Sequence, residues 1–263
     1  MSLIVTSEEE RELFRQAGKL AGQVLHALSQ IVAPGITTWE LDEVAEKMIR
    51  DAGAIPTFKG YRGFPCTVCA SVNEEVVHGI PNTKKVLKEG DIISLDIGAT
   101  IRQERNGKKL DYIGDTAITV PVGSVSERIA KLIDDTRASL YKGMAAAHAG
   151  ATLDEIAGPI EDLAKANAYG IVREYGGHGI GYTYHEEPFI LNYRTGSKTR
   201  LKPGMVIAIE PMFNLGSDRV KVKKDKWTVV TEDYMASAHF EHSLLIMEDG
   251  APEILTRRPG EDI

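Results

Sequence analysis

The chain has 263 residues, 43% hydrophobic and 26% charged, enough for one large domain or two joined halves with an ample core. A net charge of -7 argues against nucleic-acid binding driven by bulk charge. There is no charged-then-apolar leader and no long apolar run, so neither export nor a membrane span is expected. With Cys66 and Cys69 as its cysteines, the chain fits a reducing cytoplasm.

Ser7 and Glu10 have capping-box spacing. Leu13, Phe14, Ala17, Leu20, Ala21, Val24 and Leu28 then recur at helical spacing until Pro34-Gly35 ends the helix. Thr37 and Glu40 cap a second helix with Leu41, Val44, Ala45, Met48 and Ile49 on its apolar face, and Gly53 ends it. Gly60 to Pro65 reads as loop. Thr67–Val72 and Glu75–Val77 read as short strands, closed by His78-Gly79-Ile80-Pro81.

Next comes a turn feeding an apolar strand that ends in an acid, Leu87 to Asp96. The pattern recurs as Leu201 to Glu210, in the form Leu-Lys-x-Gly-x-x-Ile-x-aliphatic-acid. Between Asp96 and Asp115 lies a polar insert over 101–110, and Asn106-Gly107 within it is a strong hairpin signal. A hairpin there would bring the two aspartates close, with a bulge absorbing the register offset.

Ser124 or Ser126 starts a third helix through Ile129, Leu132, Ile133, Leu140 and Met144. Thr152 with Glu155 caps a fourth, running to Ala168 with Gly170 beyond. Leu153-Asp154-Glu155-Ile156-Ala157 echoes Leu41-Asp42-Glu43-Val44-Ala45. The chain 1–263 therefore reads as a single α+β domain of two pseudo-repeats, roughly 8–120 and 125–255. Each is two helices and an antiparallel strand set, with sheets inside and helices outside. The second half adds a loop from Gly176 to Pro188, a basic turn at Lys221–Lys226, a strand from Trp227 to Val230, and a last long strand from Ala238 to Ile246.

Alternation puts Asp96 on one face with Ser94, and Glu210 with Ala208. Glu241 and Asp115 are further acids in apolar-looking strands. His178 sits between glycines, where backbone can approach a ligand closely. A single strand carboxylate is more often an edge or ion-pair residue, and a Gly-His-Gly loop alone is a weak sign. Together, four carboxylates and an imidazole would neutralise two divalent cations, and such a donor set suits Mn, Fe, Co or Zn. His239 shares the face of Glu241 and reads as a supporting group, whereas His26 and His148 lie in helices and read as structural or solvated.

The order Asp96, Asp115, His178, Glu210, Glu241 resembles the ligand order of the pita-bread metallopeptidases, and most of all type I methionine aminopeptidases. The resemblance is carried by Asn73 to Pro81, Leu95-Asp96-Ile97-Gly98, Gly114-Asp115-Thr116, Gly177-His178-Gly179-Ile180-Gly181, His185-Glu186-Glu187-Pro188, Ile209-Glu210-Pro211-Met212 and Glu241-His242-Ser243. It runs over nearly the whole chain. It implies the pita-bread fold and removal of the initiator methionine from nascent proteins before a small second residue. It also implies a monomer with a dinuclear centre and a bridging hydroxide.

In that scheme Asp115 and Glu241 bridge the metals, Asp96 holds one ion, and His178 and Glu210 hold the other. Glu210 accepts a proton, His185 steadies the carbonyl oxygen, and His78 helps the leaving amine. Asp96 and the metal anchor the free α-amino group. Tyr61, Phe64, Cys69, His78, Tyr184, His185 and Trp227 line the substrate pocket, where aromatic walls beside a thiol suit an unbranched thioether. From composition alone, Tyr184 and Trp227 read as core packing just as well. Two departures stand out: the 101–110 insert, and Phe58 at a pocket edge where relatives often carry a smaller residue.

A proline-directed relative and a non-catalytic binding protein on this fold are the competing readings. The first usually has a large extra N-terminal domain, and here the first helix begins within the opening ten residues. The second typically lacks ligands, and all five positions here are acids or histidine. Cys66 and Cys69 have redox-motif spacing but read as strand residues without a helix start to lower a thiol pKa. The Lys221–Lys226 turn, with Arg102–Lys109, is expected to contact ribosomal RNA, although a solvated turn is the commoner meaning of such a cluster.

Overall fold

Each long helix starts where a hydroxyl accepts a bond from the backbone N–H three residues on. In the computed structural model, which describes residues 3–105 and 107–261, Ser7 caps α1 (Glu8–Ile31), Thr37 caps α2 (Thr38–Asp51), Ser126 caps α3 (Glu127–Ala145) and Thr152 caps α4 (Leu153–Ala166). The capping box is complete at Thr37/Glu40 and Thr152/Glu155. At Ser7 the Glu10 carboxylate instead accepts from the serine hydroxyl at 3.0 Å.

In chain order the strands are β1 (Ile55–Pro56), β2 (Val68–Val72), β3 (Glu75–Val77), β4 (Ile92–Arg105), β5 (Lys108–Pro121), β6 (Gly170–Ile171), β7 (Gly177–Ile180), β8 (Glu186–Ile190), β9 (Val206–Ile209), β10 (Met212–Asn214), β11 (Val220–Val222), β12 (Val229–Thr231), β13 (Ser237–His239), β14 (Glu241–Leu245) and β15 (Glu253–Ile254). Among the described residues the main sheet has the order β1-β4-β5-β14-β9-β7-β8, with β2 on β4 and β15 on β14. Two smaller sheets, β13-β10-β6 and β11-β12-β3, flank it.

Alternation along the strands divides core from site. Ile93, Leu95, Ile97 and Ala99 of β4 pack beneath Leu25, Leu41 and Ala45 of α1 and α2. Ile207 and Ile209 of β9 pack beneath Leu140, Met144 and Ile160 of α3 and α4. Each such aliphatic burial stabilises by about 1.5–3 kcal/mol. The opposite faces carry Asp96 and Ser94 on β4 and Ala208 on β9. α1 lies unusually close to β5, because a Cβ on Gly114 would overlap the backbone of Gly18.

Two expectations need correction. The β4–β5 hairpin forms, but its ladder runs unbroken from Arg105↔Lys108 to Ile92↔Pro121, with no bulge. Asp96 pairs with Ala117 and Asp115 with Gly98, so the aspartates sit diagonally, two residues apart on one face. An even offset keeps side-chain parity, and a bulge is unnecessary. Gly107 takes φ +72°, whereas Asn106 lies outside the described residues.

The expected last strand from Ala238 to Ile246 is also two strands. It breaks at Phe240, whose N–H reaches the carbonyl of Pro211 (3.3 Å). Pro211 has no N–H to continue a ladder, so β9 and β10 break at the same level. Glu210 stands in that break, just past β9, and is thus free of ladder constraints on its side chain.

Candidate metal centre and active site

Five site residues come from five segments that meet at one point. Asp96 is on β4, Asp115 on β5, His178 on β7 and Glu241 on β14, while Glu210 follows β9. Asp115 and Glu241 are each only 1% exposed. Their backs are tied down. Ser243 Oγ donates to the Asp115 carbonyl (2.7 Å) and accepts from its N–H (3.0 Å). Thr116 Oγ1 donates to the Glu241 carbonyl (2.8 Å). Buried Arg258 donates to that same carbonyl (3.4 Å) and to Thr116 (2.9 Å). Asn192 Nδ2 donates to the Glu210 carbonyl (3.0 Å).

Their fronts are not tied down. Asp96 Oδ1, Asp115 Oδ1 and Glu241 Oε1 are buried and have no hydrogen-bond partner. Asp115, His178 and Glu241 offer ligand atoms that all lie within 4.8 Å of one another. Two carboxylate charges at that spacing repel by about 3–4 kcal/mol at an effective dielectric of ~20. Burial first, then the charges of neighbouring carboxylates, push Asp96 and Glu241 well above the usual carboxyl range. A cluster that resists ionisation this strongly wants a cation at its centre, and the donor set fits a divalent metal ion.

His178 is arranged to donate a lone pair. Its Nδ1–H is bonded to the Gly179 carbonyl at 2.9 Å, which leaves Nε2 unprotonated in the neutral ring. That Nε2 lies 3.7 Å from Asp115 Oδ2 and 3.9 Å from Glu210 Oε1. Burial opposes a charge on this ring, but Asp115 and Glu210 outweigh it and raise its pKa. The flanking glycines have a different reason from the one expected. A Cβ on Gly177 would strike the Ala208 carbonyl, and one on Gly179 the Glu187 carbonyl. They let neighbouring strands close in rather than a ligand. His239, expected on the face of Glu241, has its Nε2 3.3 Å from Glu210 Oε2 but off the hydrogen-bonding direction.

Two cavities open from this floor and share His78, Asp96, Tyr175, Tyr184 and His185. One, of about 380 Å³, contains the four carboxylates and His178. The other, of about 360 Å³, is walled by Phe58, Tyr61, Phe64, Cys69 and Trp227. Phe64 and Trp227 meet edge-to-face at 5.1 Å, as do Tyr61 and Tyr184. Phe58 fills the pocket edge against Tyr184, at 5.2 Å between centroids. His78 adopts φ +58°, a left-handed conformation that turns it off β3. Burial, then His239, lowers its pKa to about 4; burial, then His178, lowers that of His185 to about 3. Both rings are therefore neutral near pH 7. Burial also pushes the Cys66 thiol up to about 11 and Cys69 well above its ordinary value, which removes the thiolates redox chemistry needs.

The model of metallopeptidase family M24 matches residues 12–248. Methionine aminopeptidase 1 of Bacillus subtilis is 48% identical over 256 residues, covering 97% of this chain and 99% of its own. The chain belongs to the methionine aminopeptidases of metallopeptidase family M24. A crystal structure of a methionine aminopeptidase from Thermotoga maritima superposes with a TM-score of 0.90 at 40% identity, covering 98% of this chain and 100% of that one. Prolidase from Pyrococcus furiosus shares the fold alone, with a TM-score of 0.74 at 23% identity and 65% of that chain covered. The fold is the pita-bread fold, and the enzyme class is metallo-aminopeptidase.

All twelve residues singled out from the sequence for the site line one cavity or the other. The sequence gives no warning of Tyr175, which follows exposed Glu174 in a loop and packs edge-to-face on His78 at 5.6 Å. Ser243, Asn192 and Arg258 were also missed, because each acts through backbone carbonyls. Of the basic loops, Lys223 is bound to buried Glu75 (3.1 Å), Lys221 stacks on Tyr234, Arg102 grips Asp111 and Arg105 grips Glu9. Among the described residues no helix is long and apolar enough to cross a membrane.

Proposed function

We propose that this chain releases the N-terminal methionine of nascent polypeptides whose second residue is small. The observation that carries this reading is the shared wall: a carboxylate–histidine floor opening directly into an aromatic cavity of about 360 Å³. Asp96, Asp115, His178, Glu210 and Glu241 would together hold two divalent ions. The ions, drawn from Co, Mn, Fe or Zn by availability, would supply Lewis acidity and a water that ionises near neutral pH.

The remaining work belongs to side chains. Glu210, the least enclosed acid and unconstrained by the ladder, takes a proton from the attacking water. Neutral His185 donates to the carbonyl oxygen as charge develops on it. Neutral His78 contacts the scissile nitrogen and eases departure of the amine. Asp96 pairs with the free α-amino group, which restricts cleavage to the first bond. Tyr61, Phe64, Cys69, Tyr184 and Trp227 seat the methionine and exclude water from it.

The test is peptide hydrolysis by metal-stripped protein with each ion added back, on Met-Ala-Ser and on an X-Pro peptide. Metal-dependent release of methionine is expected. Cleavage of the X-Pro peptide alone, or silence on both with every metal, would overturn the reading.

We read the chain as a cytoplasmic monomer whose two halves are pseudo-repeats of one domain. Its ribosome contact would rest on Lys108, Lys109, Lys224 and Lys226. Unchanged cosedimentation with ribosomes after reversing those four charges would remove that contact.

A further inference from the structure

A neutral imidazole has one N–H, and its place decides whether the ring donates or accepts. For His178 the question is closed, because a backbone carbonyl at Nδ1 can only accept. For His185 the partner is a hydroxyl. Tyr61 Oη lies 3.0 Å from His185 Nδ1 and has no other hydrogen-bond partner among the described residues.

We propose that Tyr61 is a positioning residue whose hydroxyl donates to Nδ1 of His185 and so fixes that ring's proton on Nε2, the nitrogen left for substrate. A phenol is a good donor and a poor acceptor, since its oxygen lone pair delocalises into the ring. An imidazole nitrogen is the reverse, so O–H···N is the favoured direction. The two adjacent rings, with centroids 4.2 Å apart, then carry opposite tautomers. His178 points a lone pair at the carboxylate cluster, and His185 points an N–H at the carbonyl oxygen.

The scaffold around Tyr61 is stiff enough to hold such a bond. Tyr61 opens a 3-10 turn (Tyr61–Gly63) between Gly60 at φ +90° and Gly63 at φ +89°, with Arg62 at φ +47°. The turn is closed by Tyr61 N–H to the Phe58 carbonyl (2.9 Å) and Gly60 N–H to the Phe64 carbonyl (2.8 Å). A non-glycine residue in the left-handed region persists only where its surroundings enforce it. The Tyr61 ring also packs edge-to-face on Tyr184, the residue before His185, at 5.1 Å.

This rests on the reading of His185 as donor to the carbonyl oxygen, and the test separates the two. The protein is labelled with 15N-histidine, and His185 is assigned by comparison with His185→Gln. The ring-nitrogen shifts of the wild type should place the proton on Nε2 alone, with or without added Zn2+, a diamagnetic ion. In Tyr61→Phe, which keeps the aromatic wall, a measurable fraction should move to Nδ1. The kcat on Met-Ala-Ser should fall roughly three- to tenfold, with KM within about twofold. A proton on Nδ1 in the wild type, or a tautomer unchanged in Tyr61→Phe, overturns the proposal. A shifted tautomer with unchanged kcat supports the role of Tyr61 and counts instead against His185 as the donor.

Discussion

The carboxylate floor and the aromatic wall meet at shared residues yet are built by opposite means. The floor hangs on strands. All its positions but that of Glu210 follow from ladder register, its backbone is bonded from behind by Ser243, Thr116, Arg258 and Asn192, and buried oxygens of Asp96, Asp115 and Glu241 are left bare. Apart from Cys69 on β2, the wall hangs on loops and turns. Tyr61 and Trp227 stand beside left-handed residues, Arg62 at φ +47° and Lys226 at φ +67°. Its rings satisfy one another by edge-to-face contact. Charges act steeply with distance, so they need the stiffer support. An apolar pocket needs only shape, and turns provide it.

The largest expected effect comes from breaking the floor. Asp115→Asn should lower kcat/KM by at least about 10³-fold, beyond the range for losing one oxyanion donor. Its fold should survive, which circular dichroism would show. If activity stayed within tenfold of wild type, Asp115 would not be a ligand.

A second experiment uses the bare charges themselves. The folded-state pKa values of Asp96 and Glu241 are raised, so the native state binds more protons than the unfolded chain. Their contribution to the metal-free protein is therefore lost as pH rises from about 4, the ordinary carboxyl value, through the raised values. Asp96→Asn should remove part of that decline and raise the metal-free Tm near pH 7 by a few degrees, roughly 1 kcal/mol or more. With saturating Mn2+ the order should reverse. A metal-free variant melting below wild type would show that the cluster is not under charge strain.

The ties behind the floor come next. Ser243→Ala leaves the ligands in place but frees the Asp115 backbone. Metal affinity measured by titration should fall about 10- to 100-fold, as for other groups that orient a ligand. An unchanged affinity would mean that the strand pairing alone holds Asp115.

The wall should be more forgiving. Trp227→Ala should raise KM for Met-Ala-Ser about tenfold, near 1.4 kcal/mol of binding, with kcat within about threefold. A loss carried by kcat would place Trp227 with the chemistry rather than the pocket. The smallest effect belongs to the hairpin tip. Arg102→Ala breaks an exposed pair with Asp111, so stability should move by less than about 1 kcal/mol and activity not measurably.

The same division decides what the sequence discloses. The floor is legible because an acid after an apolar run contradicts its surroundings, and Asp96 and Glu210 repeat that contradiction, although Asp96 stands inside β4, which continues to Arg105, and Glu210 just past β9. Alternation marks His239 as a supporting group on the face of Glu241, whereas the structure sets its ring beside Glu210, across the break at Phe240. The wall has no period, so Tyr61, Phe64 and Trp227 came from family resemblance, and Tyr175 did not come at all. Register was half legible: the turn is marked by Asn106-Gly107, but parity rather than a bulge reconciles the aspartates. The split at Phe240 was hidden because the group it meets, Pro211, lies far away in sequence, in the break between β9 and β10. The glycines around His178 were noticed for the wrong partner, since close approach of strands leaves no mark distinct from close approach of a ligand.

The unbroken β4–β5 ladder makes the hairpin beyond Asp96 and Asp115 a free design variable. Adding equal numbers of residues to the two strands past Arg105 and Lys108 lengthens the hairpin while the packing of Tyr112 on Phe14 and every pairing nearer the floor stay as they are. An epitope, a fluorophore or a tether carried between Arg105 and Lys108 would thus ride on a rigid stalk, electrically and sterically remote from the cavity it is anchored beside.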